Sequence, residues 1–147
     1  MIANNRFLLT TALVAMLVAA CGGAGVPTGF IQQPIGGGVV LTWTPNTIGG
    51  WNGQGDTDWN TADTYCRTTT INGQTGWRLP TQFELSSLYD SGLLAGKPGW
   101  TLNYTWSSTP DEPGVHPGSG IYHGVSLSSG IVGWFYDTEY VYVSCVR

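Results

Sequence analysis

Charged residues are scarce in this chain. Only 10% of its 147 residues are Asp, Glu, Lys or Arg. Nine acidic residues stand against five basic ones, and only four of the basic residues follow Arg6. Because a polyanion is bound by neutralising many of its charges with Lys and Arg, this balance weighs against nucleic acid, heparin-like polymers and anionic membrane surfaces as main partners.

Residues that commonly carry catalysis or bind metals are also few. His116 and His123 are the only histidines, and neither lies in a recognised catalytic or metal-binding motif. Two carboxylate pairs, in residues 111–112 and 137–139, lie on predicted turns. A glycosidase needs opposed carboxyl groups about 5 to 9.5 Å apart, which neighbours on one loop rarely provide. The sequence therefore predicts no enzyme and no required cofactor.

Long apolar runs are missing, apart from a short one near the start. Phe7–Ala20 is shorter than the roughly 20 residues that a membrane-spanning helix needs, and with Arg6 before it the run is typical of an export signal. Residues 17–20 (LVAA) followed by Cys21 resemble a bacterial lipobox, in which the cysteine is acylated and becomes the new N-terminus. An ordinary secretory signal with a cysteine by chance is the alternative.

The export signal leads to a predicted location. We predict a signal peptide over residues 1–20 and an acylated Cys21 that anchors the protein in a membrane. Two or three acyl chains hold a protein durably, whereas one chain binds only marginally. The protein is then extracytoplasmic in the bacterial cell envelope, with the outer membrane favoured.

The two remaining cysteines, Cys66 and Cys145, form an even pair in an oxidising compartment, and we predict that they are bonded. A loop of this length constrains the unfolded chain by about 4.5 kcal/mol in the chain-entropy description, as an upper figure. A metal pair or a reactive thiol would be the competing interpretation, but no histidine or further cysteine lies near either residue in sequence.

Composition divides the exported part into two segments. Residues 21–38 contain seven glycines and two prolines and are predicted to be a flexible tether. Residues 39–147 suit one domain with one core. All seven Trp and all seven Tyr follow Cys21, and so many aromatic rings could fill a core, line a groove, or both.

Local patterns predict an α+β fold. Pro80 forbids helix just before it, and Thr81 with Glu84 forms a capping-box pattern that starts a helix at Gln82 and continues to about Asp90. A shorter helix capped by Asn60 or Thr61 runs through Cys66. Predicted strands lie at Val39–Trp43, Tyr104–Ser108, Ile121–Leu127, Ile131–Tyr136 and Tyr140–Val146. Two early helices followed by antiparallel strands are typical of an α+β domain.

The segment Trp77-Arg78-Leu79-Pro80-Thr81 is predicted to have a structural role. Arg78 lies between two apolar residues, which favours a guanidinium that stacks on an aromatic ring and pairs with a carboxylate such as Glu84.

Four motifs follow one another along the chain. They are Trp59 with Tyr65-Cys66; Gly76-Trp77-Arg78-Leu79-Pro80-Thr81 with Glu84-Leu85; Trp106-Ser107-Ser108-Thr109; and Val143-Ser144-Cys145-Val146-Arg147. Together they resemble the Lcl C-terminal domain, a domain of unknown function found at the C-terminus of bacterial collagen-like adhesins, over about Leu41 to Arg147. The resemblance implies a C-type-lectin-like fold, similar also to that of the formylglycine-generating enzyme. It further implies an extracytoplasmic binding module, with adhesion to sugars or sulfated glycans.

This chain departs from that family picture. It has no Gly-X-Y stalk, so trimerisation through collagen does not follow. Its acidic balance does not suit sulfated glycans. The strings nearest to the sugar-binding motifs of calcium-dependent lectins, residues 112–114 and 51–53, each miss a ligand. Formylglycine-type oxidation needs free reactive cysteines, whereas Cys66 and Cys145 are predicted to be bonded to each other.

A calcium site elsewhere is a separate hypothesis. Asp56, Asp58 and Asn60 place oxygen side chains at alternate positions, as a calcium loop begins. The rule then breaks, with Thr61 where the glycine should stand and Arg67 where the bidentate glutamate should stand. The alternative is that Asp58 or Asn60 caps the first helix.

The predicted ligand surface combines the 109–120 loop with the 122–136 hairpin. Its candidate residues are Asp111, Glu112, His116, Tyr122, Trp134 and Tyr136. Trp134 and Tyr136 alternate to one side of their strand and could form an aromatic ledge, although the same alternation would serve a buried face.

We therefore expect a lipid-anchored binding or adhesion module that recognises a glycan or another surface polymer without catalysis. A structural subunit of an envelope assembly is the alternative, and an enzyme is the least favoured class.

Overall fold

The computed structural model describes residues 26–46, 56–114 and 120–147. Within them the chain forms two helices and seven strands. The helices are α1 (Trp59–Thr68) and α2 (Gln82–Asp90). The strands are β1 (Ile31–Gly36), β2 (Val39–Trp43), β3 (Asp56–Thr57), β4 (Tyr104–Pro110), β5 (Ile121–Ser126), β6 (Val132–Tyr136) and β7 (Val141–Tyr142). The predicted α+β class is confirmed, and no helix among these residues is long and apolar enough to cross a bilayer.

The strands form two sheets. The larger has the order β3-β7-β4-β5-β6, in which β4 and β7 are parallel and the other neighbours antiparallel. The smaller is the β1–β2 hairpin. Thr42 exchanges two backbone hydrogen bonds with Arg147, and Val146 exchanges two with Arg78. The last residues of the chain therefore join the hairpin to the Arg78 segment, although only Val141–Tyr142 of the predicted terminal strand is regular.

The ordered domain begins earlier than the composition suggests. Residues 31–36 lie within the predicted tether, yet they form β1 and pair with β2. Ile31 is 1% exposed, and the indole N–H of Trp43 donates to the Gln33 side chain at 3.0 Å. Glycines 36–38 do not loosen this segment because they make the hairpin turn, with φ of +94°, +60° and +78°. The tether prediction is wrong for residues 31–38.

Both helices begin at polar caps. The Thr81 hydroxyl accepts from the Glu84 amide at 3.2 Å, and the Glu84 carboxylate accepts from the Thr81 amide at 2.8 Å, which confirms the capping box. Burial raises the pKa of Glu84, but hydrogen bonds from Arg78 and Thr81 outweigh that effect and hold the pKa below its ordinary value. The first helix starts at Trp59 and is capped by Asp58. The predicted cap at Asn60 or Thr61 is therefore wrong, because both residues lie inside the helix.

Apolar side chains pack on both faces of the larger sheet. One cluster joins Leu85 and Leu88 of α2 to Val125 of β5, and the other joins Ala62 and Cys66 of α1 to residues of β4, β5 and β6. Since neighbouring residues of a strand point to opposite faces, the two helices cover opposite sides of the sheet.

The predicted disulfide is confirmed. Cys66 of α1 is bonded to Cys145, 79 residues later, with 5.5 Å between the Cα atoms. Both cysteines are fully buried. The bond ties the last segment of the chain to the first helix.

Candidate functional site

Two aromatic side chains are exposed side by side on β6, an edge strand of the larger sheet. Trp134 is 44% exposed and Tyr136 is 37% exposed, and their rings meet edge to face with centroids 6.0 Å apart. We call this pair the aromatic ledge. From the alternation along β6 alone, Trp134 and Tyr136 could lie on either a buried or an exposed face. The structure places both rings on the exposed face.

His123 lies next to the ledge, on β5 directly opposite Trp134. The backbone bonds from Asp137 to Gly120 and from Ser126 to Ile131 mark the hydrogen-bonded pairs of these strands. By alternation, His123 and Trp134 form a non-hydrogen-bonded pair, the kind in which opposite side chains approach more closely.

The His123 ring is held on both sides. Its Nδ1 lies 2.8 Å from Gln82 Oε1 at the start of α2, and its Nε2 lies 3.2 Å from Asp111 Oδ1. We call Gln82, His123 and Asp111 the polar trio. Because both ring nitrogens are engaged in these contacts, the orientation of the His123 ring is fixed.

Asp111 is positioned by the backbone. Its amide donates to the Ile121 carbonyl at 2.9 Å, and its side chain is only 8% exposed. Glu112 follows on the exposed side of the loop. His116 lies outside the described residues. The structure thus places Asp111, from the predicted 109–120 loop, in contact with His123 of the predicted hairpin.

Sequence reasoning missed the part played by His123 and Gln82. Gln82 is 41 residues from His123 in the chain, so no local pattern links them. The one available signal was the hairpin register, which places His123 opposite Trp134 once the turn is known.

Tyr122 does not belong to the ledge. It pairs with Phe135, one residue out of phase with Trp134, and therefore points to the opposite face of the sheet. There its ring stacks on Trp59 of α1, with centroids 3.7 Å apart and planes 9° from parallel. Tyr122 therefore lies apart from Trp134 and Tyr136, and a ligand contact at Tyr122 stays a prediction.

The three residues of the calcium hypothesis, Asp56, Asp58 and Asn60, have different local roles in the structure. Asp56 pairs with Tyr142 in the sheet, and Asn60 is exposed on α1. The Asp58 carboxylate accepts from the Thr61 amide at 2.9 Å and from its hydroxyl at 2.7 Å. Burial raises the pKa of Asp58, but these hydrogen bonds outweigh it and lower the pKa overall. The capping alternative for Asp58 is thus what the structure shows, and across the described ranges no three His, Cys, Asp or Glu side chains form a metal-binding group.

The Trp77–Thr81 segment is internally paired. Arg78 donates to both carboxylate oxygens of Glu84, at 2.8 and 2.6 Å, and to the Leu79 carbonyl at 3.1 Å. The bond to Glu84 raises the pKa of Arg78, against the smaller effect of burial. The predicted ion pair is present, but the cation above the Trp77 ring is Arg147, 5.7 Å from the centroid, and not Arg78.

A groove of about 370 Å³ runs beside the β1–β2 hairpin. Residues far apart in sequence line it, including Val26, Phe30, Val40, Trp77 and Arg147. No sequence pattern predicted it, because it forms only where the chain end meets the hairpin.

The family model of the Lcl C-terminal domain matches residues 38–147 of the chain. This chain belongs to the Lcl C-terminal domain family. The family is a domain of unknown function in collagen-like adhesins and is not a known catalytic family. The matched range contains the aromatic ledge, the polar trio and the disulfide, whereas β1 precedes it. A search of curated proteins found no match.

Proposed function

We propose that this chain is a lipid-anchored, extracytoplasmic binding module of the bacterial cell envelope, whose aromatic ledge recognises a glycan or another surface polymer. The observation that carries the proposal is the pair of exposed rings, Trp134 and Tyr136, directly beside the polar trio. Membership of an adhesin-associated family and the extracytoplasmic environment that a disulfide suggests support the same role.

The chemistry of the ledge suits a sugar. The faces of aromatic rings carry negative charge density, which attracts the C–H groups on the flat side of a pyranose. A sugar also offers hydroxyl groups around its rim. The Gln82 amide carries N–H donors and the Asp111 carboxylate carries acceptor oxygens, and both contact His123, directly opposite Trp134 of the ledge.

The arrangement also suits binding better than catalysis. Binding sites combine apolar and aromatic surface with a small number of fixed polar groups. Here α2 and the loop after β4 hold His123 from two sides, so the polar group is positioned before any ligand arrives.

A glycan array probed with the exported protein, with and without calcium, tests the proposal. Trp134→Ala should abolish retention on the recognised glycan, because it removes the larger ring of the ledge. Its melting temperature should change little, since the side chain is 44% exposed. Phe83→Ala is the matched control, because Phe83 is an aromatic residue that is 81% exposed on α2 and outside the ledge.

Three outcomes would contradict the proposal. The wild-type protein could bind no glycan, peptide or envelope polymer, Phe83→Ala could lose retention as fully as Trp134→Ala, or Trp134→Ala could unfold. The first or the last result would favour the alternative function, a structural subunit of an envelope assembly. Calcium dependence of binding would revive the metal hypothesis for Asp56, Asp58 and Asn60.

A further inference from the structure

The β1–β2 hairpin ends in an exposed apolar tip that the family assignment does not explain. Ile35, Val39 and Val40 are 48%, 52% and 47% exposed, and we call these three residues the hairpin tip. A Cβ added at any glycine of the 36–38 turn would meet no atom within 4 Å. The space beside these three glycines is therefore open.

The hairpin tip is apolar on both faces. Val40 lies opposite Pro34 on one face of the hairpin. Val39 points to the other face, in phase with Leu41 and Trp43, but these two are buried and Val39 lies beyond the core. Apolar side chains on both faces suit insertion into the interfacial region of a bilayer, which surrounds an inserted tip on every side.

The charge distribution agrees with a lipid surface. The sequence contains no Asp, Glu, Lys or Arg between Arg6 and Asp56. Arg147 lines the groove beside Val40, and Lys97 lines a neighbouring groove, while neither groove is lined by Asp or Glu. This end of an otherwise acidic molecule is thus uncharged or cationic and avoids repulsion from lipid phosphates.

The length of chain leading to Cys21 places the hairpin tip near a membrane anchor. Val26 is 45% exposed and lines the same groove as Val40. Cys21 precedes Val26 by five residues, which span at most about 18 Å when extended. An acyl chain on Cys21 would therefore hold this end of the domain against the bilayer.

We propose that the hairpin tip enters the interfacial region of the phospholipid bilayer in which Cys21 is anchored, and so fixes the orientation of the domain on the membrane. This inference rests on the lipid anchor of the proposed function, but not on glycan recognition. The contact is shallow, because the peptide groups of the glycine turn must keep water or lipid headgroups as hydrogen-bond partners. Apolar contact holds the tip, in keeping with the acidic net charge of the chain.

A fluorescent probe on the exported lipoprotein tests this contact. Val39→Cys is labelled with an environment-sensitive dye and reconstituted in vesicles of phosphatidylethanolamine and phosphatidylcholine. The matched control is Ile131→Cys, since Ile131 is an aliphatic residue that is 59% exposed between β5 and β6. The introduced thiol is then the only free one, because Cys66 and Cys145 are bonded and Cys21 carries the lipid.

In vesicles, the label at position 39 should emit at shorter wavelength and be quenched by spin-labelled lipid, while the label at position 131 keeps aqueous emission. Aqueous emission at position 39 in protein whose Cys21 is acylated by mass spectrometry overturns the inference and leaves glycan recognition untouched. Equal shifts at both positions overturn it as well. An unacylated Cys21 overturns the anchor itself. Shorter-wavelength emission that rises with protein concentration without vesicles assigns the tip to a second copy of the chain and overturns the lipid assignment.

Discussion

Trp106 on β4 and Trp134 on β6 flank the same strand, yet their surroundings are opposite. Trp106 is completely buried, and its indole N–H donates to the Thr57 carbonyl at 2.7 Å. Trp134 lies at the edge of the sheet and is 44% exposed. The same residue type therefore stabilises the fold in one place and presents a surface in the other.

Four further tryptophans behave like Trp106. Each indole N–H donates a hydrogen bond within the domain, at 2.6 to 3.0 Å: Trp43 to the Gln33 side chain, and Trp59, Trp77 and Trp100 to the carbonyls of Ser107, Gln74 and Gly29. Such a bond joins a connecting segment to the core and satisfies the polar end of a large apolar side chain. Tryptophan count alone therefore says little about ligand binding, and exposure at a sheet edge is what separates Trp134 from the other tryptophans in the described ranges.

The largest expected effect is at Trp106. Trp106→Ala should lower the free energy of unfolding by about 3 to 5 kcal/mol, because it opens a cavity in the core and leaves the Thr57 carbonyl without its donor. Urea denaturation measures the change. Trp134→Ala is the control and should cost less than half as much; equal losses would remove the distinction between the two sites.

Removal of the disulfide should rank next. Replacing both Cys66 and Cys145 by serine should cost about 2 to 5 kcal/mol, because the unfolded chain is no longer constrained by a loop of 79 residues. Thermal unfolding with and without reductant measures the effect, and the variant itself should be insensitive to reductant. Two free thiols in the folded wild-type protein would contradict the pairing.

A smaller effect is expected at Arg78. Arg78→Ala removes its bidentate bond to Glu84, but the Arg78 side chain is 46% exposed, so the cost should be about 1 to 2 kcal/mol. Arg78→Lys keeps the charge without the two parallel bonds, so its stability should lie between that of the wild type and that of Arg78→Ala. Calorimetry measures both. An unchanged melting temperature together with lost ligand binding would contradict the structural role of Arg78 and assign the residue to the binding surface.

The smallest effect is a pH dependence. The folded pKa of Glu84 lies below its ordinary value of 4.5, so its carboxylate contributes stability above that pH, and this contribution is lost as the pH falls through the lower folded pKa. Wild-type melting temperature should therefore fall more steeply below about pH 4.5 than that of Glu84→Gln. Glu112→Gln, which alters an exposed carboxylate, should follow the wild-type curve. Parallel curves for wild type and Glu84→Gln would contradict the assignment.

Features that depend on nearby residues were predictable. The Thr81–Glu84 capping box, the helix after Pro80 and the alternation that puts Trp134 and Tyr136 on one side of β6 all follow from contacts within a few positions. The disulfide was predictable for another reason, since only two cysteines remained to pair. The tether was misjudged because composition does not distinguish glycines of a loose linker from the glycines of a hairpin turn.

By itself, the sequence determined the two helices, the capping box of the second helix, the strand-rich second half, the Cys66–Cys145 pair and the family. Tertiary structure alone decided which aromatic rings are exposed, that Gln82 and Asp111 meet at His123, and that Arg147 lies over Trp77. The physical reason is range. Caps and strand phase are set by neighbours in the chain, whereas exposure and side-chain contacts depend on which distant segments the fold brings together.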